Sequence, residues 1–307
     1  MPHWGTSPRL RPLERFRGSL LGLAVGDALG TTLEFQRRGE FKTLVDMIGG
    51  GPFDLAPGEW TDDTSMALCL ATSLLERRGF DPHDQMARYW AWYEEGYWSS
   101  TGVCFDIGNT TKAALERWRA QGDPFAGSDD PLSAGNGCIM RLAPIALYFS
   151  PDLEEVGHFA AESARTTHAA RECLDASRLF GRMIGRALAG ASKRETLHGD
   201  DSVALSPRIA ALARGDYLEQ AEEDMRGSGY VVESLEAALW SFAHTENFHD
   251  AVLTAANLGD DADTTAAVCG QLAGAYYGEP DIPAQWLERL ALGSAIGDIA
   301  ERLAAGP

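Results

Sequence analysis

Basic residues are scarce in this 307-residue chain: 26 Lys and Arg stand against 45 Asp and Glu, a formal net charge of −19. Binding a polyanion needs clustered cations, so nucleic acid and anionic membrane surfaces are excluded as partners. Cysteine is scarce too. Cys69, Cys104, Cys138, Cys173 and Cys269 are odd in number and widely spaced, with no CxxC and no Cys/His knuckle. That excludes a disulfide framework and a thiolate zinc site, and it suits small core residues of a reducing compartment. No apolar run reaches the roughly 18 residues of a spanning helix, so no membrane span is expected. The opening stretch MPHWGTSPRLRPLERFRG lacks the apolar centre of a secretory signal. A cytoplasmic location is expected. Strand-like alternation is also rare, which leaves helix as the dominant element.

What is present is helical periodicity. Leu13, Phe16, Leu20, Leu21 and Ala24 recur at spacings of three and four, and Gly18, Gly22, Gly26 and Gly30 lie at four-residue intervals on the same stretch. A side-chain-free face suits close helix packing; a membrane dimer is disfavoured because Arg17 and Asp27 interrupt the run. A second helix is predicted from near Asp63 to Arg78, with Thr61 as its cap. A third follows Asp81, with Pro82 in its first turn. Further helices are predicted over 109–121, 138–149, 153–164, 169–189, 231–243, 248–257, 264–277 and 284–304. Segments 35–58, 96–108, 122–137 and 190–207 read as loops. No composition break divides the chain, so one all-α domain over 1–307 is expected. Apolar residues make up 45% of it. A chain of this size buries a large core unaided, so any metal would serve chemistry rather than folding.

Many of the acids, among them Glu154, Glu155, Asp200, Asp201, Glu222, Glu223 and Asp224, read as solvated faces. Two segments do not. Trp60-Thr61-Asp62-Asp63-Thr64 and Gly259-Asp260-Asp261-Ala262-Asp263-Thr264-Thr265 each pack carboxylates and hydroxyls at the start of an apolar helix. Capping explains one or two acids at a helix start. Five in two such places exceed that need, and uncompensated carboxylates near a core are costly. Hard divalent cations would compensate them, and oxygen-only ligands point to magnesium or manganese. Glu34 follows the glycine helix. Gly135-Asn136-Gly137-Cys138-Ile139-Met140 is a Gly-rich turn whose backbone N–H groups could hold phosphate, although such turns are common.

The segments GDALGTTLEF, WTDDTSM, GNGCIMRLAPIAL, TTHAARECLDASRLFG and NLGDDADTTAAVCGQLAGAYYG, in that order, resemble the ADP-ribosylglycohydrolase family. The likeness runs from about Arg17 to Gly278 and is greatest to the bacterial dinitrogenase-reductase-activating branch. It implies an orthogonal multi-helix bundle with a central cleft and two divalent cations, Mg2+ or Mn2+. It carries the metal ligands onto Thr61, Asp62, Asp63, Asp261, Asp263 and Thr264. It matches Glu34 to a carboxylate on a mobile loop, and Gly135 to Met140 to a phosphate-binding turn through Gly135, Asn136, Gly137, Cys138 and Met140. It matches His168 to a ligand-contacting position; a structural role for that histidine stands beside it. Asp260 departs from the family pattern and is not counted as a ligand.

The implied reaction removes ADP-ribose from a modified protein side chain, with ADP-ribose as product. A carboxylate among Asp62, Asp63 and Glu34 would be the general acid or base. Asp106, in a CFDIG segment shared with the nitrogenase-regulating branch, would select an arginine leaving group. Alternatively, Asp106 caps the helix near Asn109 or pairs with Arg117 or Arg141. Release from serine, or from free ADP-ribosyl compounds and polymers, is the alternative within the enzyme class. A non-catalytic relative and a metal phosphohydrolase are the alternatives outside it.

Overall fold

A computed structural model of the protein describes residues 1–4, 7–199 and 204–306. Asp200 and Asp201, expected on a solvated face, lie outside the described residues; Glu154, Glu155, Glu222, Glu223 and Asp224 are exposed as expected. The helices are α1 (Pro12–Gly30), α2 (Asp62–Arg77), α3 (Pro82–Glu95), α4 (Asn109–Gln121), α5 (Ala143–Phe149), α6 (Leu153–Arg165) and α7 (Arg171–Leu188). They continue with α8 (Lys193–Leu197), α9 (Pro207–Arg214), α10 (Val231–Ala243), α11 (Phe248–Ala256), α12 (Ala262–Tyr277), α13 (Ala284–Arg289) and α14 (Gly293–Ala304). Among the described residues, β-pairing is limited to isolated bridges such as Gly135 with Tyr230. The fold is all-α. No described helix is long and apolar enough to cross a membrane.

The glycine stripe organises the bundle. α1 and α12 run antiparallel, and Gly18, Gly22, Gly26 and Gly30 face the backbone of Gly274, Gly270, Ala266 and Ala262 in turn. A Cβ at Gly26 would sit 2.5 Å from the carbonyl carbon of Ala266 and 2.8 Å from the nitrogen of Ala267. Only paired small residues permit so close a crossing. Both helices are buried over most of their length.

Four expectations need correction. The helix predicted over 138–149 starts at Ala143, because Pro144 fits only a first turn; a short 3-10 turn, Asn136–Cys138, precedes it. The helix predicted over 284–304 breaks into α13 and α14 at Leu292, whose φ is +54°. The loop predicted over 190–207 contains α8, started by a capping box in which Ser192 and Glu195 satisfy each other's backbone N–H. Thr61 precedes α2 but makes no side-chain cap; its hydroxyl is bonded elsewhere. Asp81 does cap α3, accepting from the Asp84 N–H at 3.0 Å.

Candidate active site

The crossing of α1 and α12 brings the last turn of α1 beside the first turn of α12. Asp27 then fixes the start of α2 against them. Its Oδ1 accepts from the Thr61 N–H (2.8 Å) and hydroxyl (2.9 Å), and its Oδ2 from the Thr64 N–H (3.0 Å) and hydroxyl (2.6 Å). The two acidic segments therefore meet. The Thr61 hydroxyl lies 3.1 Å from Asp263 Oδ2, and the Thr264 hydroxyl lies 3.4 Å from Asp63 Oδ2.

A cleft of about 490 Å³ opens over this floor. Glu34, Asp62, Asp106, Asp261, Asp263 and Thr264 line one part of it; Gly135, Asn136, Gly137, Met140 and His168 line another. Phe35 and Asp260 hold Glu34 in place. The Phe35 N–H donates to the Asp260 carbonyl and the Asp260 N–H to the Gln36 carbonyl, each at 2.7 Å. Both residues take positive φ, +61° and +62°. Asp260 thus acts through its backbone, and Glu34 is only 4% exposed. Asp106 also has positive φ, +58°, and its carboxyl interacts with those of Asp62 and Glu34. Neither structural alternative for Asp106 holds: α4 is preceded by Gly108 with no side-chain cap, Arg117 donates to the Ala126 carbonyl, and Arg141 donates to Gly137 and Thr167.

Burial and mutual repulsion push these carboxyls up. Burial foremost, then Asp106 and Asp261, raises Glu34 to about 10. Burial, then Asp261 and Asp27, raises Asp106 to about 7. Asp62, Asp63 and Asp263 stand well above the usual carboxylate range for the same reasons. Several of their oxygens lack a partner: Glu34 Oε2, Asp63 Oδ1 and Asp263 Oδ1 are buried with no hydrogen bond. Buried unpaired acceptors are rare in folded proteins and call for a compensating group. Oxygens of Glu34, Asp106 and Asp263 lie within 4.8 Å of one another, close enough to share one metal ion. The all-oxygen donor set fits a hard divalent cation.

The Gly-rich turn is tied to the acidic floor. Asn136 Nδ2 donates to Asp261 Oδ2 at 2.8 Å, and its N–H to the Gly229 carbonyl at 3.0 Å. That amide is therefore already used, as are those of Gly135, which donates to the Ser133 carbonyl, and Met140, which donates to the Asn136 carbonyl. His168 lies beneath the turn, within contact of Gly135 and Gly137, with its Nδ1 2.8 Å from the Thr167 hydroxyl. Burial, then Arg141, lowers its pKa to about 3, so it is a neutral imidazole. The expectation for Cys138 needs correction. Its side chain is buried away from the cleft, with Sγ 3.9 Å from the Cys173 carbonyl. Only its backbone can face a ligand.

Sequence reasoning misses two supports. Asp27 reads in sequence merely as a break in an apolar run. Arg141 reads only as an ion-pair partner, yet it is fully buried, donates to the Gly137 carbonyl (2.8 Å) and the Thr167 hydroxyl (2.6 Å), and lies 4.8 Å over the Tyr89 ring. A lone acid in a glycine stripe and a lone cation in an apolar segment are the available signals.

Comparisons with known proteins bear on the fold and the family. A solved structure described as an ADP-ribosylglycohydrolase-related protein complex superposes with a TM-score of 0.85 at 45% identity, covering 96% of this chain and 98% of that one. The ADP-ribosylarginine hydrolase Tri1 of Pseudomonas putida is 46% identical over 291 residues, 95% of this chain and 78% of that protein. Tri1 of Serratia proteamaculans is 43% identical over 307 residues, 98% of this chain and 83% of that protein. The ADP-ribosyl-[dinitrogen reductase] glycohydrolase of Rhodospirillum rubrum is 33% identical over 288 residues, 90% of each. The expected nearness to the nitrogenase-regulating branch is thereby corrected: that relative is 33% identical, against 46% and 43% for the two Tri1 proteins. The family match itself spans residues 7–307, and the chain belongs to the ADP-ribosylglycohydrolase family.

Proposed function

We propose that the protein hydrolyses the N-glycosidic bond between ADP-ribose and an arginine side chain of a modified protein, releasing ADP-ribose. The observation that carries the arginine assignment is Asp106. It lines the cleft, has no basic partner among the interactions described above, and sits against Glu34 and Asp62. A guanidinium presents paired N–H donors that match a carboxylate fork. The names of the two Tri1 relatives support the same linkage.

Thr61, Asp62, Asp63, Asp261, Asp263 and Thr264 would hold two divalent cations, Mg2+ or Mn2+, which when bound supply Lewis acidity toward ribose hydroxyls and a water. The Gly135–Met140 turn and His168 would receive the diphosphate, with Cys138 contributing backbone alone. Glu34, Asp62 and Asp63 are the candidates for moving the proton. Glu34, buried and lining the cleft, is placed to be one of them. The chain would act as a single unit over 1–307, and five free cysteines suit the reducing cytoplasm.

The test is product analysis. Arginine-, serine- and poly-ADP-ribosylated substrates are incubated with the protein, with and without Mg2+ or Mn2+. Metal-dependent release of intact ADP-ribose from arginine is expected. Release from serine or polymer alone would replace the arginine assignment, and phosphate release would overturn glycosidic chemistry altogether.

A further inference from the structure

Asp27 is an aspartate in the middle of a packed glycine helix, fully buried, with four donors on its two oxygens. Holding the start of α2 explains the Thr61 and Thr64 N–H groups and the Thr64 hydroxyl. The Thr61 hydroxyl is different. It has one hydrogen and two acceptors within reach, Asp27 Oδ1 at 2.9 Å and Asp263 Oδ2 at 3.1 Å. The two choices have opposite consequences. A hydrogen directed at Asp263 would occupy a carboxylate oxygen of the acidic floor and point its positive end at the place a cation needs. A hydrogen directed at Asp27 leaves the Thr61 lone pairs and Asp263 Oδ2 turned toward the same space.

We propose that Asp27 is a positioning residue for the cation site: by taking the Thr61 hydroxyl hydrogen, it turns Thr61 Oγ1 into a ligand and leaves Asp263 free to be one. The inference rests on the metal reading above. Asparagine at position 27 keeps the size but replaces one acceptor oxygen by an NH2 donor. If that donor faces Thr61, it occupies the lone pair and drives the hydroxyl hydrogen toward Asp263. If it faces Thr64, it opposes two other donors.

The experiment is Mn2+ titration by calorimetry on the full chain, with melting and helical content measured alongside. Partners that orient metal ligands typically matter by about 10- to 100-fold in affinity, and that loss is expected for Asp27→Asn. An effect of charge alone would be the same with and without the Thr61 hydroxyl, so a double-mutant cycle with Thr61→Val separates it from an effect through the hydroxyl. Once the hydroxyl is gone, Asp27→Asn should weaken binding no further than about twofold, the scatter of independent sites. Full additivity would show that Asp27 acts by charge alone and would overturn the proposal.

Thr64→Val removes a hydrogen bond from the other carboxylate oxygen. It should lower the melting temperature while leaving Mn2+ affinity within about twofold. If it weakens Mn2+ as much as Asp27→Asn does, the role is only to hold α2. Should the Asn variant not fold, Asp27→Ala enters the same cycle. A neutron structure of the unaltered protein decides the matter without variants: deuterium between Thr61 and Asp27 is expected, and deuterium facing Asp263 refutes the idea. Failure of the unaltered protein to bind Mn2+ at all would instead overturn the metal reading.

Discussion

Replacing Gly26 by alanine is a small change with a large expected effect. In an exposed helix the substitution would stabilise by about 1 kcal/mol. Here the new Cβ would lie 2.5 Å from the Ala266 carbonyl carbon and 2.8 Å from the Ala267 nitrogen. Ordinary carbon contacts need about 3.5 Å or more, so α1 and α12 must separate by roughly 1 Å at this level. The obstacle is backbone, so no rotamer change relieves it. Overpacking of this kind costs about 1–3 kcal/mol by itself. Looser packing along the separated stripe adds to it, and a net loss of about 3 kcal/mol is expected. For a chain of this size that corresponds to a fall in melting temperature of about 5 °C. Activity should fall further than stability, because Asp27 is the next residue and its hydrogen bonds to Thr61 tolerate little displacement. Differential scanning calorimetry and a hydrolysis assay on the same sample check both parts. Gly108→Ala, where φ is −64° and nothing lies within 4 Å of the added Cβ, is the control and should melt near the unaltered protein. A Gly26→Ala variant that melts at or above the unaltered protein would refute the reasoning about the stripe.

In metal-free protein, the folded state holds protons on carboxyls that the unfolded chain has lost, since Glu34 is raised to about 10 and Asp106 to about 7. Stability must then fall as pH rises from about 5 toward 10; melting curves without metal that rise over this range would contradict the site's electrostatics. Mn2+ should accordingly raise the melting temperature more at pH 8 than at pH 5. Asp106→Ala should lower kcat/KM on ADP-ribosyl-arginine by at least about 2 kcal/mol, roughly 30-fold, while leaving affinity for free ADP-ribose little changed. Equal losses on both ligands would remove the arginine-selecting role from Asp106. Gly137→Ala places a Cβ 2.8 Å from His168 Cε1. It should weaken ADP-ribose binding by about 10-fold or more, at a displacement cost of about 1.4 kcal/mol, and a fluorescence or calorimetric titration showing unchanged affinity would remove the turn from the binding site.

The longer helices were legible because each buries one side with a regular spacing, and Asp81 and Pro82 mark a start that periodicity alone would blur. The acidic floor was legible because Thr61–Asp63 and Asp261–Thr264 put more acids at helix starts than capping requires. Asp27 was not. On a helix whose other residues are apolar or glycine, one acid resembles an interruption, and only the arrival of Thr61 and Thr64 from α2 shows what it accepts. Thr61 misled for the same reason: at the start of α2 it reads as a cap, but its hydroxyl is bound across to Asp27. The direction of Cys138 was hidden as well, because a turn's sequence does not say which side chains its rotation sends inward. α8 was legible in retrospect, since Ser192 and Glu195 have the spacing of a capping box inside a stretch read as loop.

The pairing of α1 with α12 also has a consequence for biosynthesis. The glycine face of α1 emerges first from the ribosome, and its partner is encoded more than 230 positions later, from Ala262 onward. At roughly 5–20 residues per second, α1 waits on the order of ten seconds or longer for the surface it fits. Asp27 cannot face both acidic segments until then, so the nascent chain carries half a site in the interval. Stalling or truncation before Tyr277 should therefore yield chains without activity whose exposed glycine stripe makes them targets for chaperones and proteases.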